Sequence, residues 1–168
     1  MLVGAYGLFW ERDGVDWSPG SGRAAWQMLG RKGTYRRALR VVDFRRARGV
    51  YVLFNHHGAY YAGLAQGSAG LGGRLKQHLS DEHRDKWQRF CWFSFDGVGP
   101  DVGSDGLYQV APRNKPVPAN GRAVISELEA LLITILGTQG QNKMRFAAAD
   151  EWQQVPWYDE VYLQRARS

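Results

Sequence analysis

The chain of 168 residues contains a single cysteine, Cys91, so it can form no internal disulfide and no cysteine-based metal site. That fits a reducing cytosol, and a cytoplasmic protein is expected. Long hydrophobic runs are also missing: the best candidate, Ala130 to Leu136, spans 7 residues and includes Thr134. A membrane helix needs about 20. Leu2 to Trp10 is apolar but has no basic residue ahead of it and no small-residue cleavage site behind it, which argues against a signal peptide. There is no internal repeat and no low-complexity tract. The length suits one compact domain, and an apolar fraction of 44% supplies a core without staples.

Acids are scarce where bases gather. From Arg23 to Arg48 there are nine basic residues, Arg23, Arg31, Lys32, Arg36, Arg37, Arg40, Arg45, Arg46 and Arg48, against one acid, Asp43. This stretch holds more than the whole net charge of +6, so the positive field is concentrated where it could meet a polyanion. A solvated basic face is the plainer reading. The excess of Arg over Lys leans toward phosphate, because a guanidinium can hold two phosphate oxygens at once.

Residues 1–46 read as an Arg-rich extension with short helices near Ala24–Leu29 and Tyr35–Val42, the second carrying Arg36, Arg37 and Arg40 along one side. From Gly49 the pattern changes to two β-branched and aromatic runs, Val50–Phe54 and Ala59–Leu64, separated by Asn55-His56-His57-Gly58. That predicts a hairpin. A glycine-rich stretch then leads into a helix through Arg74 and His78, and Trp87 to Phe95 reads as a third strand. Residues 96–121, rich in Gly and Pro, are expected to be a long irregular connection. Ala123 to Leu136 has the clearest helical pattern, and residues 147–168 form a tail expected to pack back on the body.

Several motifs invite a function. The glycines at 67, 70, 72 and 73 resemble a phosphate loop, but a P-loop needs Lys and then Ser or Thr after its last glycine, and Gly73-Arg74 supplies neither. His56 and His57 fall at a hairpin tip, where solvation is the ordinary outcome. Without cysteine ligands to accompany them, His78 and His83 give no structural zinc pattern. Arg74 and His78, four apart, share a helix face and can address one target, although a wet surface is the plainer account. In the last helix Glu129 has Ile125, Leu132 and Ile133 as its neighbours three and four residues away. A carboxylate there needs a cationic partner, an Arg or a divalent ion. Glu127 has smaller neighbours, which makes Glu129 the favoured functional acid, with a structural salt bridge as the alternative.

Taken in order, Gly49-Val50-Tyr51, Tyr61-Ala62-Gly63, Arg74 with His78, Glu129 and Asn142 resemble the GIY-YIG nuclease family over residues 47–146. Tyr-Ala-Gly stands where the family has Tyr-Ile-Gly. The resemblance implies an α+β fold, a small antiparallel three-stranded sheet flanked by helices, preceded here by the basic extension. It also implies a divalent-metal-dependent endonuclease acting on DNA. Glu129 would hold Mg2+ or Mn2+, Arg74 would contact the phosphate, Tyr61 would line the site and Asn142 would fix its shape. The general base would be Tyr51 or His78. Arg36, Arg37, Arg40, Arg45, Arg46, Arg48 and Lys76 are the expected nucleic-acid contacts. The size suits a restriction or phage-defence nuclease, or a catalytic subunit whose specificity comes from a second copy or a partner protein. The competing expectation is a binding module that holds nucleic acid without cutting it.

Overall fold

The computed structural model describes residues 3–18, 26–33, 39–112, 127, 130–132, 134–136 and 152–158. Its strands form two sheets. The first has the order β5 (Gly58–Ala65), β4 (Gly49–Asn55), β6 (Arg89–Ser94), β1 (Ala5–Glu11) and β9 (Gln153–Gln154), antiparallel except for the β1/β9 pair. The second has the order β2 (Leu29–Lys32), β3 (Arg40–Asp43), β8 (Tyr108–Ala111) and β7 (Gly97–Val102), antiparallel except for β3/β8. One α-helix, α1 (Gly70–Gln77), and a 3-10 turn at Arg12–Gly14 accompany them, and residues 127, 130–132 and 134–136 are helical. Among the described residues no helix is long and apolar enough to cross a membrane.

Side chains alternate across the first sheet and give it two apolar faces. Tyr51 and Leu53 of β4, with Phe90 and Trp92 of β6, face a core shared with Val42 of the second sheet, Phe44 just after β3, and Leu71 and Leu75 from α1. Trp92 is central to it, with ring centroids 4.6 Å from Phe44 and 5.3 Å from Trp10. The opposite face, Cys91 and Phe93 with the half-buried Val50 and Val52, is covered by Val3, Trp152 and the helical Ala130, Leu131 and Ile135.

This architecture corrects the expected three-stranded sheet flanked by helices: the protein is mostly β, built on two mixed sheets of five and four strands. Three segments account for the difference. Residues 5–11 are an inner strand of the first sheet rather than a flanking arm. Residues 40–43 are strand where a helix over 35–42 is expected, because β-branched Val41 and Val42 pair with β2 and Val42 with β8. Much of the expected irregular connection is β7 and β8, with Pro100 tolerated because β7 lies at a sheet edge.

The glycine-rich stretch has a packing explanation. The backbone of α1 docks on the segment before β4, with Leu71 N–H donating to Ala47 O at 2.8 Å and Gly72 N–H to Arg45 O at 2.9 Å. A Cβ at Gly70, whose φ is +64°, would stand 2.5 Å from Arg46 Cα. Only glycine allows that approach.

Candidate active site

The β4/β5 hairpin pairs Tyr51 with Gly63, and the pairing explains the glycine of the second motif. A Cβ at residue 63 would lie 2.2 Å from the Tyr51 hydroxyl, so the missing side chain is the space the phenol occupies. Gly49 answers a similar demand, since a Cβ there would meet the Phe93 carbonyl oxygen of β6. The register shifts after Leu53, which pairs with Tyr61, while Phe54 pairs with Ala59. Tyr60 is therefore the extra residue of a bulge, and both tyrosines reach the core face.

Helix α1 brings His78, at its C-terminal cap, against this hairpin. Tyr51 Oη lies 2.7 Å from His78 Nε2, and His78 Nδ1 lies 2.7 Å from Asp81 Oδ2. A carboxylate can only accept, so Nδ1 carries the proton and Nε2 presents its lone pair to the phenol O–H. Asp81 is held in turn by the His83 backbone N–H, 2.9 Å from its Oδ1. Phenol, imidazole and carboxylate thus form one hydrogen-bonded line from the sheet to the turn after α1.

The electrostatics follow from burial. Tyr51 is fully buried, and its pKa is pushed up to about 12 by desolvation and by neighbouring Tyr61, while the charge and hydrogen bonding of Arg74 pull the other way. Burial also lowers the His78 pKa below its ordinary value, against the attraction of Asp81. At Asp81 burial opposes ionisation, but the His83 N–H and the His78 ring outweigh it and hold the carboxyl below its usual range. At neutral pH the phenol keeps its proton, the imidazole is neutral and the carboxylate is charged. Deprotonating Tyr51 therefore requires an acceptor, and His78 Nε2 is in place as one.

A second tyrosine–histidine pair adjoins the first. Tyr60 Oη is 3.1 Å from His83 Nδ1, the Tyr61 ring lies 4.3 Å from the His83 ring, and the two imidazoles are 4.7 Å apart edge to face. His78, Asp81 and His83 each offer one ligand atom, all within 4.8 Å of one another. Sequence reading does not single out Tyr60 or Asp81, and it sets His83 aside as a zinc ligand for want of cysteines. The spacing His78-x2-Asp81-x-His83 was the available signal.

No family model, curated protein or solved structure matches this chain. Its own geometry therefore has to carry the functional argument. Of the expected site residues, Tyr51, Tyr61, Arg74 and His78 come together, while Glu129 and Asn142 lie outside the described residues. Ala130 and Leu131, described residues that follow Glu129, pack on the sheet face opposite Tyr51, and the helical Glu127 is buried.

The expected nucleic-acid contacts divide similarly. Arg36 and Arg37 lie outside the described residues. Arg45 donates to the Trp26 carbonyl and pairs with buried Asp43 at 3.5 Å, and Arg48 grips buried Asp96 through Nη2 at 2.6 Å. Both have structural partners. Arg46 is exposed and, with Arg45, Asp43, Gln109 and Val110, lines a surface cleft. Exposed Arg40 lies over the Tyr108 ring at 5.1 Å and half-buried Lys76 over Trp26 at 5.0 Å.

Proposed function

We propose that the chain is a divalent-metal-dependent endonuclease of the GIY-YIG type, hydrolysing DNA phosphodiester bonds. The proposal rests on the residue constellation, and the family's small three-stranded architecture is no part of it. One observation carries it: the 2.7 Å contact between Tyr51 Oη and His78 Nε2, with Arg74 acting on the same phenol. In-line attack on a phosphodiester needs a water that loses a proton, and a counter-charge for the oxygens that gain negative charge. Tyr51 takes the water proton as its own passes to His78, so the phenol is restored and the imidazolium is stabilised by Asp81. The question of Tyr51 or His78 as base then has one answer, a relay that uses both. Arg74 supplies the counter-charge, exchanging its hydrogen bond to Gln77 for the phosphate.

The family resemblance assigns a divalent cation to Glu129. A bound Mg2+ or Mn2+ would stabilise the charge developing on phosphate oxygens. The described residues around Tyr51 include no carboxylate apart from Asp81, which is committed to His78, so no step is routed through the ion. Of the expected contacts among the described residues, Arg46, Arg40 and Lys76 would hold backbone phosphates.

Nicking of supercoiled plasmid in Mg2+ or Mn2+, with an EDTA control, tests this reading. Tyr51→Phe and Arg74→Ala should each lower the rate by at least about 10²-fold while the fold persists by circular dichroism. Wild-type protein that binds DNA in a salt-sensitive manner yet never cuts it would establish the binding-module alternative instead.

A further inference from the structure

We propose that His78, Asp81 and His83 form a second metal site, selective for a borderline transition ion such as Zn2+ or Co2+ and separate from any Mg2+ bound for catalysis. Two imidazoles and one carboxylate suit such ions, whereas Mg2+ favours an all-oxygen shell. The three ligand atoms already lie within 4.8 Å of one another. Ligands about 2.0–2.1 Å from a tetrahedral ion sit roughly 3.4 Å apart, so the His78–Asp81 contact, now 2.7 Å, opens slightly while the wider separations, up to 4.8 Å, close. Asp81 and His83 belong to the turn after α1, which can move without disturbing a strand ladder.

Two further features mark this as a built cluster rather than a chance surface grouping. His78 is only 2% exposed and the His83 side chain 14%, so the histidines are not solvated residues that wandered together. Each ring is also oriented by a tyrosine hydroxyl, Tyr51 on His78 Nε2 and Tyr60 on His83 Nδ1. Metal-binding histidines characteristically have such outer partners, which fix the ring and its tautomer.

The hydrogen bond between His78 Nδ1 and Asp81 Oδ2 is the part that must change. A cation takes the place of the Nδ1 proton and bridges these two atoms. The imidazole stays neutral with its proton on Nε2, where it donates to the Tyr51 oxygen. Metal and relay are thus alternative states that share His78 and Asp81, since a protonated Nε2 cannot accept from the phenol. If the nuclease reading holds, on which this consequence alone rests, Zn2+ inhibits cleavage in the presence of Mg2+.

Binding is tested first without reference to activity, by titrating EDTA-treated, dialysed protein with Co2+ and following visible absorption. One equivalent is expected to saturate an intense tetrahedral-type spectrum, Zn2+ to abolish it stoichiometrically, and excess Mg2+ to leave it unchanged. His83→Ala and Asp81→Asn should each weaken Co2+ binding by at least about tenfold. A His56→Ala/His57→Ala variant, lacking the hairpin-tip histidines, should bind as wild type does. His83→Gln provides a second variant should His83→Ala fail to fold. The proposal is overturned if wild-type protein gives no saturable spectrum, or if the His83 variants retain wild-type affinity. A protein that binds Co2+ stoichiometrically but cuts no plasmid would refute the nuclease reading and leave this site standing.

Discussion

Gly63 illustrates at the residue scale how one absent side chain sets the chemistry of another. In most strands Ala in place of Gly gains a few tenths to about 1 kcal/mol by restricting the unfolded chain. Here the added methyl would lie 2.2 Å from the oxygen of a fully buried tyrosine, and the overpacking cost of about 1–3 kcal/mol outweighs that gain. Gly63→Ala is therefore expected to lower the denaturation midpoint and to displace the Tyr51 phenol from His78. Gly67→Ala is the control, because a Cβ there meets nothing within 4 Å and the change should stay within about 0.5 kcal/mol. Chemical denaturation of both variants decides the matter: equal stability would mean that Tyr51 yields freely, and that the hairpin does not position it.

At the scale of elements, the basic segment divides between structure and surface. Arg48 leads into β4 with its backbone N–H and guanidinium both on Asp96, whose side chain is 5% exposed, whereas Arg46, two residues earlier, faces solvent. Asp96→Ala should cost about 1–3 kcal/mol by leaving the Arg48 N–H without its acceptor. Arg46→Ala should leave the thermal midpoint alone but reduce the slope of log affinity for DNA against log salt by about 0.9, one phosphate contact. An unchanged slope would remove Arg46 from the interface. Charge counting over residues 23–48 cannot make this division, because the partners Asp43 and Asp96 reach these arginines through tertiary structure. The same limit governs what was legible elsewhere. The hairpin 49–65 could be read because its pattern and turn residues are local, but of α1 only the half from Arg74, since its first turn, from Gly70, lies in the glycine-rich stretch expected to precede it. At β3 the sequence points to helix because arginines spaced like a helix face outweigh the two valines, and at β7 and β8 to irregular chain because Gly and Pro also occur at sheet edges. In the candidate site, motif order points to Tyr51, Tyr61, Arg74 and His78, which the fold brings together. Asp81, His83 and Tyr60 depend on a turn and a bulge that no periodicity announces.

Across the whole molecule, residues 152–158 join the two sheets. Val155 N–H donates to Tyr6 O at 2.6 Å and its carbonyl accepts from Trp10 Nε1 at 3.1 Å, which ties the segment to β1. A few atoms further on, Arg31 N–H donates to Pro156 O at 3.1 Å and Tyr158 N–H to Leu29 O at 3.2 Å, which ties it to β2. Trp152 and Val155 are buried, one against each apolar face of the first sheet. With both sheets contributing to one core, unfolding is expected as a single transition. Removing residues 152–168 strips out Trp152 and Val155, the two buried hydrophobic side chains among its described residues, worth about 1.5–3 kcal/mol each, together with the hydrogen bonds that cross between sheets. Against a typical total of about 5–15 kcal/mol, that loss is large enough to move the urea midpoint far down or to leave the chain unfolded. Val155→Ala gives a milder version that keeps the backbone ties, and should lower the midpoint by a smaller amount with the transition still single. A truncated chain with the wild-type midpoint and slope would show that the sheets hold together without this segment, and that their shared core suffices.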